Sequence, residues 1–188
     1  MAGGGGGAAA GGAARGRGAL PAGWACGVVG RGAGAGAEAA EGALPAGAGP
    51  AGYQALRREV FIEEQAVSEA EEWDGRDEDA WHVLLYDAAT PPACVACARL
   101  LIDESDQAAA VGRVAVALSQ RKRGVGSLLM ARVHELALGR LGLLSLRLDA
   151  QVQVIPFYEK MGYSLVPGEV FLDAGIPHRK MLMTIADK

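Results

Sequence analysis

Several classes of protein are excluded by what this 188-residue sequence lacks. No apolar run approaches the ~20 residues needed to span a bilayer, so no membrane helix is expected. Positive charge is in deficit: 18 Lys and Arg stand against 22 Asp and Glu, a formal net charge of −4, which does not suit a general nucleic-acid binder, so an anionic ligand would have to be held locally. Cysteine is scarce and odd in number, with only Cys26, Cys94 and Cys97, which fits a reducing compartment rather than a disulfide framework. Cys94 and Cys97 have Cys-x-x-Cys spacing, but no second Cys or His pair lies at ligand spacing, so no metal site is expected. Positions i and i+3 of a strand point to opposite faces, and both cysteines read as small core residues.

Glycine is abundant but unevenly placed. Residues 1–52 hold 19 of the 28 glycines and almost no large apolar side chains. Such a leader cannot offset backbone ordering, which costs about 1–2 kcal/mol per residue, and is expected to be disordered. It has three arginines and no acid before Glu38, as in an organellar transit peptide, yet no Ser or Thr before Ser68. Its one apolar patch, Ala19 to Val29, is broken by Pro21, Gly23 and Gly27, which argues against a secretory signal. An intracellular, cytoplasmic location is expected, with plastid or mitochondrion as the alternative. Residues 53–188 then form one domain of formal charge −5.

Within that domain, Leu56, Val60 and Phe61 lie on one stripe of a helix. Ten carboxylates crowd the stretch from Glu59 to Asp79. Most read as a solvated loop and helix face, while one or two near a pocket would attract or deprotonate an amine. Trp81 to Tyr86 and Ala93 to Ile102 predict an antiparallel hairpin, and Ala108 to Leu118 a third strand. The helix after Gly126 puts Val125, Leu128, Leu129, Val133, Leu136 and Ala137 on its buried stripe, with Arg132 and Glu135 opposite and Gly139 near its end. Leu143 to Asp149 follows as a strand parallel to 108–118, since a crossover helix joins them. Pro156 to Met161 predicts a short helix closed by Gly162. Tyr163 to Val166 and Arg179 to Ile185 are the last strands, joined by a long loop through Asp173 to His178.

Between the strand 108–118 and its helix stands Arg121-Lys122-Arg123-Gly124-Val125-Gly126. Glycines at such a junction let backbone approach a ligand, and the open N–H groups of the first helical turn favour an anion such as pyrophosphate. The run is neither a P-loop, which needs Gly-Lys-Ser/Thr, nor a Rossmann turn, which needs three glycines and a later acid.

Four motifs in order, Leu56-Arg-Arg-Glu-Val-Phe-Ile-Glu-Glu-Gln65, Arg121-x-x-Gly124-x-Gly126, Phe157-Tyr-Glu-Lys-Met-Gly-Tyr163 and Phe171-Leu-Asp-Ala-Gly-Ile-Pro-His178, resemble the ElaA/YjcF-like branch of the GNAT acyltransferase superfamily. The resemblance implies an α/β fold: a mixed, twisted central sheet flanked by helices, here with a disordered N-terminal extension. It implies acetyl-CoA as co-substrate, without a metal, and direct transfer to an amine of a small molecule. A non-catalytic acyl-CoA-binding regulatory module is the alternative, and a homodimer is left open. Backbone groups around Val114 and Val116 would pair with pantetheine, and an N–H near Val116 would polarise the thioester. Arg121, Arg123, Gly124, Val125 and Gly126 would hold the pyrophosphate. Gln151 would lie near the cofactor, and Tyr158 would protonate the departing thiolate.

On the acceptor side Glu64, His82 and His178 are candidates for taking the amine proton. Arg99 and Arg113 would bind an acidic part of the substrate or pair with the acidic segment. Relatives begin with a strand before the helix of Leu56 to Phe61. Here either Cys26 to Val29 supplies it or the strand is absent, since residues 40–52 have little strand propensity.

Overall fold

The computed structural model describes residues 18–32, 38–41, 45–46 and 48–184. The disorder expected of residues 1–17, 33–37, 42–44 and 47 falls outside that set. Strands β1 (Ala25–Val29) and β2 (Glu38–Glu41) are followed by helix α1 (Pro50–Arg57), which runs on in wider π-helical turns through Arg58–Glu64. After α2 (Glu69–Glu72) come β3 (Trp81–Tyr86), β4 (Cys94–Asp103) and β5 (Ala108–Val116). Helix α3 (Val125–His134), extended by π-helical turns through Glu135–Arg140, crosses to β6 (Ser145–Gln151). Helix α4 (Ile155–Lys160), β7 (Ser164–Leu165), β8 (Phe171–Asp173) and β9 (Ile176–Thr184) complete the chain. Among the described residues no helix is long and apolar enough to cross a membrane.

The strands form one mixed sheet in the order β2-β1-β3-β4-β5-β6-β9-β7, with β8 also paired to β9. One face is closed by α3, whose Val125, Leu129, Met130, Val133, Leu136 and Ala137 join Val83, Leu85, Leu100 and Leu146. The other is closed by α1 through Tyr53, Leu56 and Val60, set against Leu84, Tyr86, Cys97 and Ala115. The α/β class, the hairpin of β3 and β4 and the parallel pairing of β5 with β6 agree with the sequence-based expectation.

The first strand of the sheet comes from the Gly/Ala-rich region. All five residues of β1 are buried, and β1 pairs antiparallel with β3 from Ala25↔Tyr86 to Val29↔His82. A strand flanked by an existing neighbour needs only a short small-residue sequence, because pairing and burial supply what propensity lacks. The boundary drawn at 52/53 falls inside α1, and Leu20 and Trp24 also pack on the α3-side core.

That packing explains a second departure. Arg132, expected on the solvent face of α3, is buried and donates to the Gly18 carbonyl at 3.2 Å. The helix also runs past Gly139 to Arg140, and Gly142 turns the chain with φ 65°. Cys94 and Cys97, expected on opposite faces, both pack in the α1-side cluster. A register break between Leu85 and Tyr86 inserts one extra β4 residue between them and flips the alternation. Both are free thiols raised by burial, Cys94 to about 12.

The expected loop from Asp173 to His178 is instead a β8–β9 hairpin. Its two central residues, Ala174 and Gly175, take φ 47° and 75°, the paired left-handed conformation of a two-residue hairpin turn.

Candidate active site

The parallel pairing of β5 and β6 stops early. Only Ala108↔Ser145, Ala109↔Leu146 and Ala110↔Arg147 are paired, although β5 continues to Val116 and β6 to Gln151. Beyond Ala110 the strands part, and a cleft of about 1220 Å³ opens between them. It is lined by Val114 and Val116 of β5, Gln151 of β6, Arg121, Gly124 and Gly126 of the following turn, Phe157 and Tyr158 of α4, and Glu64, Arg99 and His178. The sequence-predicted residues are thus brought together, except Arg123 and Val125. Arg123 faces outward to Gln120 at 3.1 Å, and the Val125 side chain is in the core. His82 also lies elsewhere: it is buried, stacked on Tyr53, with Nε2 3.0 Å from the Asp77 carbonyl and its pKa lowered by burial.

β5 is irregular where it lines the cleft. Arg99 pairs with Gly112 but Cys97 with Ala115, so Arg113 and Val114 of β5 together face the single Ala98 of β4. Arg113 takes up the extra length at φ 51°, a left-handed conformation that costs a non-glycine residue roughly 1–2 kcal/mol. Such a bulge turns backbone groups away from the neighbouring strand and toward the gap.

The bulge is tied down by its own side chain. Arg113 donates through Nη2 to the carbonyls of Glu71 (2.8 Å) and Glu72 (3.1 Å), and its Nε lies 2.8 Å from Glu72 Oε2. Glu72 is 1% exposed and bonds the equally buried Arg57. Arg57 also donates to Asp77 at 2.8 Å, and Arg99 to Asp74 (2.6 and 2.7 Å) and Asp77 (2.9 Å). Three carboxylates of the acidic segment therefore form one network with Arg57, Arg99 and Arg113. Of the two readings for Arg99 and Arg113, pairing with that segment is what the structure displays. Hydrogen bonds from Arg99 hold Asp74 well below the usual carboxylate range, while burial pushes Glu72 up against the pull of Arg57.

The turn after β5 has the geometry of an anion cradle. Lys122 and Gly124 take φ 60° and 81°, and Gly124 caps α3, whose first N–H groups have no partner within the helix. At Gly126 a Cβ would sit 3.5 Å from the Phe157 ring and 3.8 Å from Val116 Cγ2, filling the passage between turn and α4. The guanidinium of Arg121 is already engaged: Nε donates to the Val116 carbonyl at 2.9 Å, and both Nη atoms to the Glu64 carboxylate at 2.6 Å. That pairing lowers the pKa of Glu64 and makes it a weak base.

Tyr158 is held edge-on to Phe157 (5.0 Å) and Tyr163 (5.8 Å). Its hydroxyl makes no side-chain hydrogen bond among the described residues, and burial raises its pKa to about 12. His178, on β9 opposite Gln151, donates from Nδ1 to the Ile176 carbonyl at 2.7 Å and stacks on Phe171. A neutral imidazole so bonded keeps the Nε2 lone pair free.

The sheet thus splits beside a glycine turn, and the Tyr158 phenol lines the same cleft. The family model described as the acetyltransferase (GNAT) domain matches residues 39–185. The chain belongs to the GNAT acetyltransferase family. It is 36% identical to the uncharacterised N-acetyltransferase YjcF of Bacillus subtilis over 127 residues, 68% of this chain and 86% of that one. The Escherichia coli ElaA structure superposes with a TM-score of 0.62 at 30% identity, covering 71% of this chain and 88% of ElaA. An acyl-CoA N-acyltransferase structure from Pseudomonas aeruginosa gives 0.61 at 31% identity, covering 71% and 88%. GNAT acyltransferases use acyl-CoA as co-substrate, and the cleft and cradle fit that group.

Among the cleft residues not expected from the sequence are Gln65, which entered only as the end of the first motif, Gln153, which carries no signal beyond being polar, and Asp173, which fell in an expected loop. The Ala-Gly pair at 174–175 is the one cue that would have put Asp173 on a hairpin.

Proposed function

We propose that this GNAT chain moves the acetyl group of acetyl-CoA to an amine of a small molecule by direct attack. The observation that carries the reading is the early end of β5–β6 pairing, which opens a slot between the glycine turn and Tyr158. Main-chain N–H groups of Arg123 to Gly126 take the pyrophosphate, and backbone around Val114 and Val116 takes pantetheine. A preorganised N–H at the bulge stabilises the oxyanion that develops on the acyl carbonyl, an effect of about 3–4 kcal/mol per donor.

His178 Nε2 accepts the amine proton as the new C–N bond forms. Glu64 is the poorer base, since Arg121 holds it ionised. Tyr158 donates its hydroxyl proton to the sulfur as the C–S bond breaks. A phenol of pKa about 12 is a weak acid toward a thiolate in water. The burial that raises the phenol also raises the basicity of a thiolate beside it, and the transfer becomes feasible.

Titration of acetyl-CoA into the protein, with thiol release measured over a panel of amines, tests the reading. Binding with release is expected, and Tyr158→Phe should lower kcat by about 10²-fold or more with little change in acetyl-CoA affinity. Binding without release from any amine would make the protein a regulatory acyl-CoA module instead. Unchanged turnover in Tyr158→Phe would remove the tyrosine from its role.

A further inference from the structure

Two consecutive residues reach the two separated strands independently. Glu64 grips Arg121 through both oxygens, and Arg121 in turn holds the Val116 carbonyl at the end of β5. Gln65 accepts through Oε1 from Gln151 Nε2 at 2.9 Å, at the end of β6, and Gln153 secures the same Gln151 at 2.8 Å. Their base is firm. Ala66 ends the α1 extension at φ 57°, and the Val67 N–H returns to the Phe61 carbonyl at 2.9 Å. Where β5 and β6 no longer bond each other, Glu64 and Gln65 link one wall to the other.

We propose that Glu64 and Gln65 are positioning residues, a two-armed brace that sets the separation of β5 and β6 in their open half and so the width of the acyl-CoA slot. The inference rests on the acyl-CoA reading above. Width matters because a ligand hydrogen-bonded to exposed strand backbone tolerates only a few tenths of an ångström before its bonds weaken. Stability alone does not account for the arrangement, since half-exposed ion pairs contribute little to it. The Arg121–Glu64 side chains are 31% and 40% exposed.

The test is calorimetric titration of acetyl-CoA into the full chain, beside urea unfolding without cofactor. Gln65→Ala and Glu64→Ala should each weaken binding about tenfold with the unfolding midpoint unchanged. Glu64→Gln, which still accepts from Arg121, should stay within about threefold of wild type. Wild-type binding with the two alanine variants within about twofold of it would overturn the brace and leave the acyl-CoA reading standing. Losses that track the unfolding midpoint would also overturn it. A wild-type chain that binds no acetyl-CoA would overturn both.

Discussion

Two sets of arginine–carboxylate contacts flank the cleft, and they differ in depth. The network of Arg57, Arg99 and Arg113 with Glu72, Asp74 and Asp77 is built on side chains mostly removed from solvent. The Arg121–Glu64 pair is bidentate and as short, yet both partners keep about a third of their surface in water. Distance alone would rank them as equals. Dielectric separates them: a buried pair is costly to assemble and more costly to break, while an exposed pair is screened in both directions. The buried set therefore fixes where the backbone of β5 goes, and the exposed pair is left free to tune the gap.

The sharpest way to break that contrast is Glu72→Ala. For carboxylates it leaves Arg57 with Asp77 alone and Arg113 with only the more distant Asp74, at 3.5 Å, and a loss of about 3–5 kcal/mol is expected in urea unfolding. A loss no larger than that of an exposed pair would show that the buried set carries no special weight. A finer cut separates the tether from the strained backbone it holds. Arg113→Ala and Arg113→Gly both remove the guanidinium, but only glycine accepts φ 51° without penalty. The glycine variant should be more stable than the alanine variant by about 1 kcal/mol. Equal stabilities would mean that the bulge relaxes once the tether is gone.

The same contrast governs what was legible in the sequence. Burial by periodicity is a local property, so the stripes of α1 and α3, the hairpin of β3 and β4 and the Arg121–Gly126 turn all showed. The partners of Glu72 were invisible, because Arg57 and Arg113 lie 15 and 41 residues away and ten carboxylates between Glu59 and Asp79 read as a solvated face. For β1, burial against β3 overrode a composition that resembled disorder. Among the cleft residues on local motifs, Gly124 and Gly126 stood out by spacing, and Tyr158 only through the family resemblance. Gln65 did not, because its role exists only once the sheet brings Gln151 opposite it.

Acid should reveal the buried set at a smaller scale. The carboxyl of Asp74 is held below its ordinary range, chiefly by hydrogen bonds from Arg99. A group with a lowered folded-state pKa contributes stability that is full above its unfolded value, about 4, and is lost as pH falls through the folded one. Asp74→Asn should therefore unfold at lower urea concentration than wild type at pH 7, and the difference should shrink as pH drops below about 4. A gap that stays constant across that range would assign the Asp74 contribution to packing rather than charge.

The smallest effect belongs to the exposed pair. Glu64→Gln removes a charge whose pKa is likewise lowered by Arg121, but from a side chain 40% exposed, where solvent and salt screen the interaction. Its unfolding free energy should change by less than about 1 kcal/mol, and by less still at high salt. A larger loss in that variant would place Glu64 with the buried network, and the depth contrast between the two sets would fail. A small loss leaves Glu64 free to act on the width of the cleft without carrying the fold, which is the condition a positioning residue has to meet.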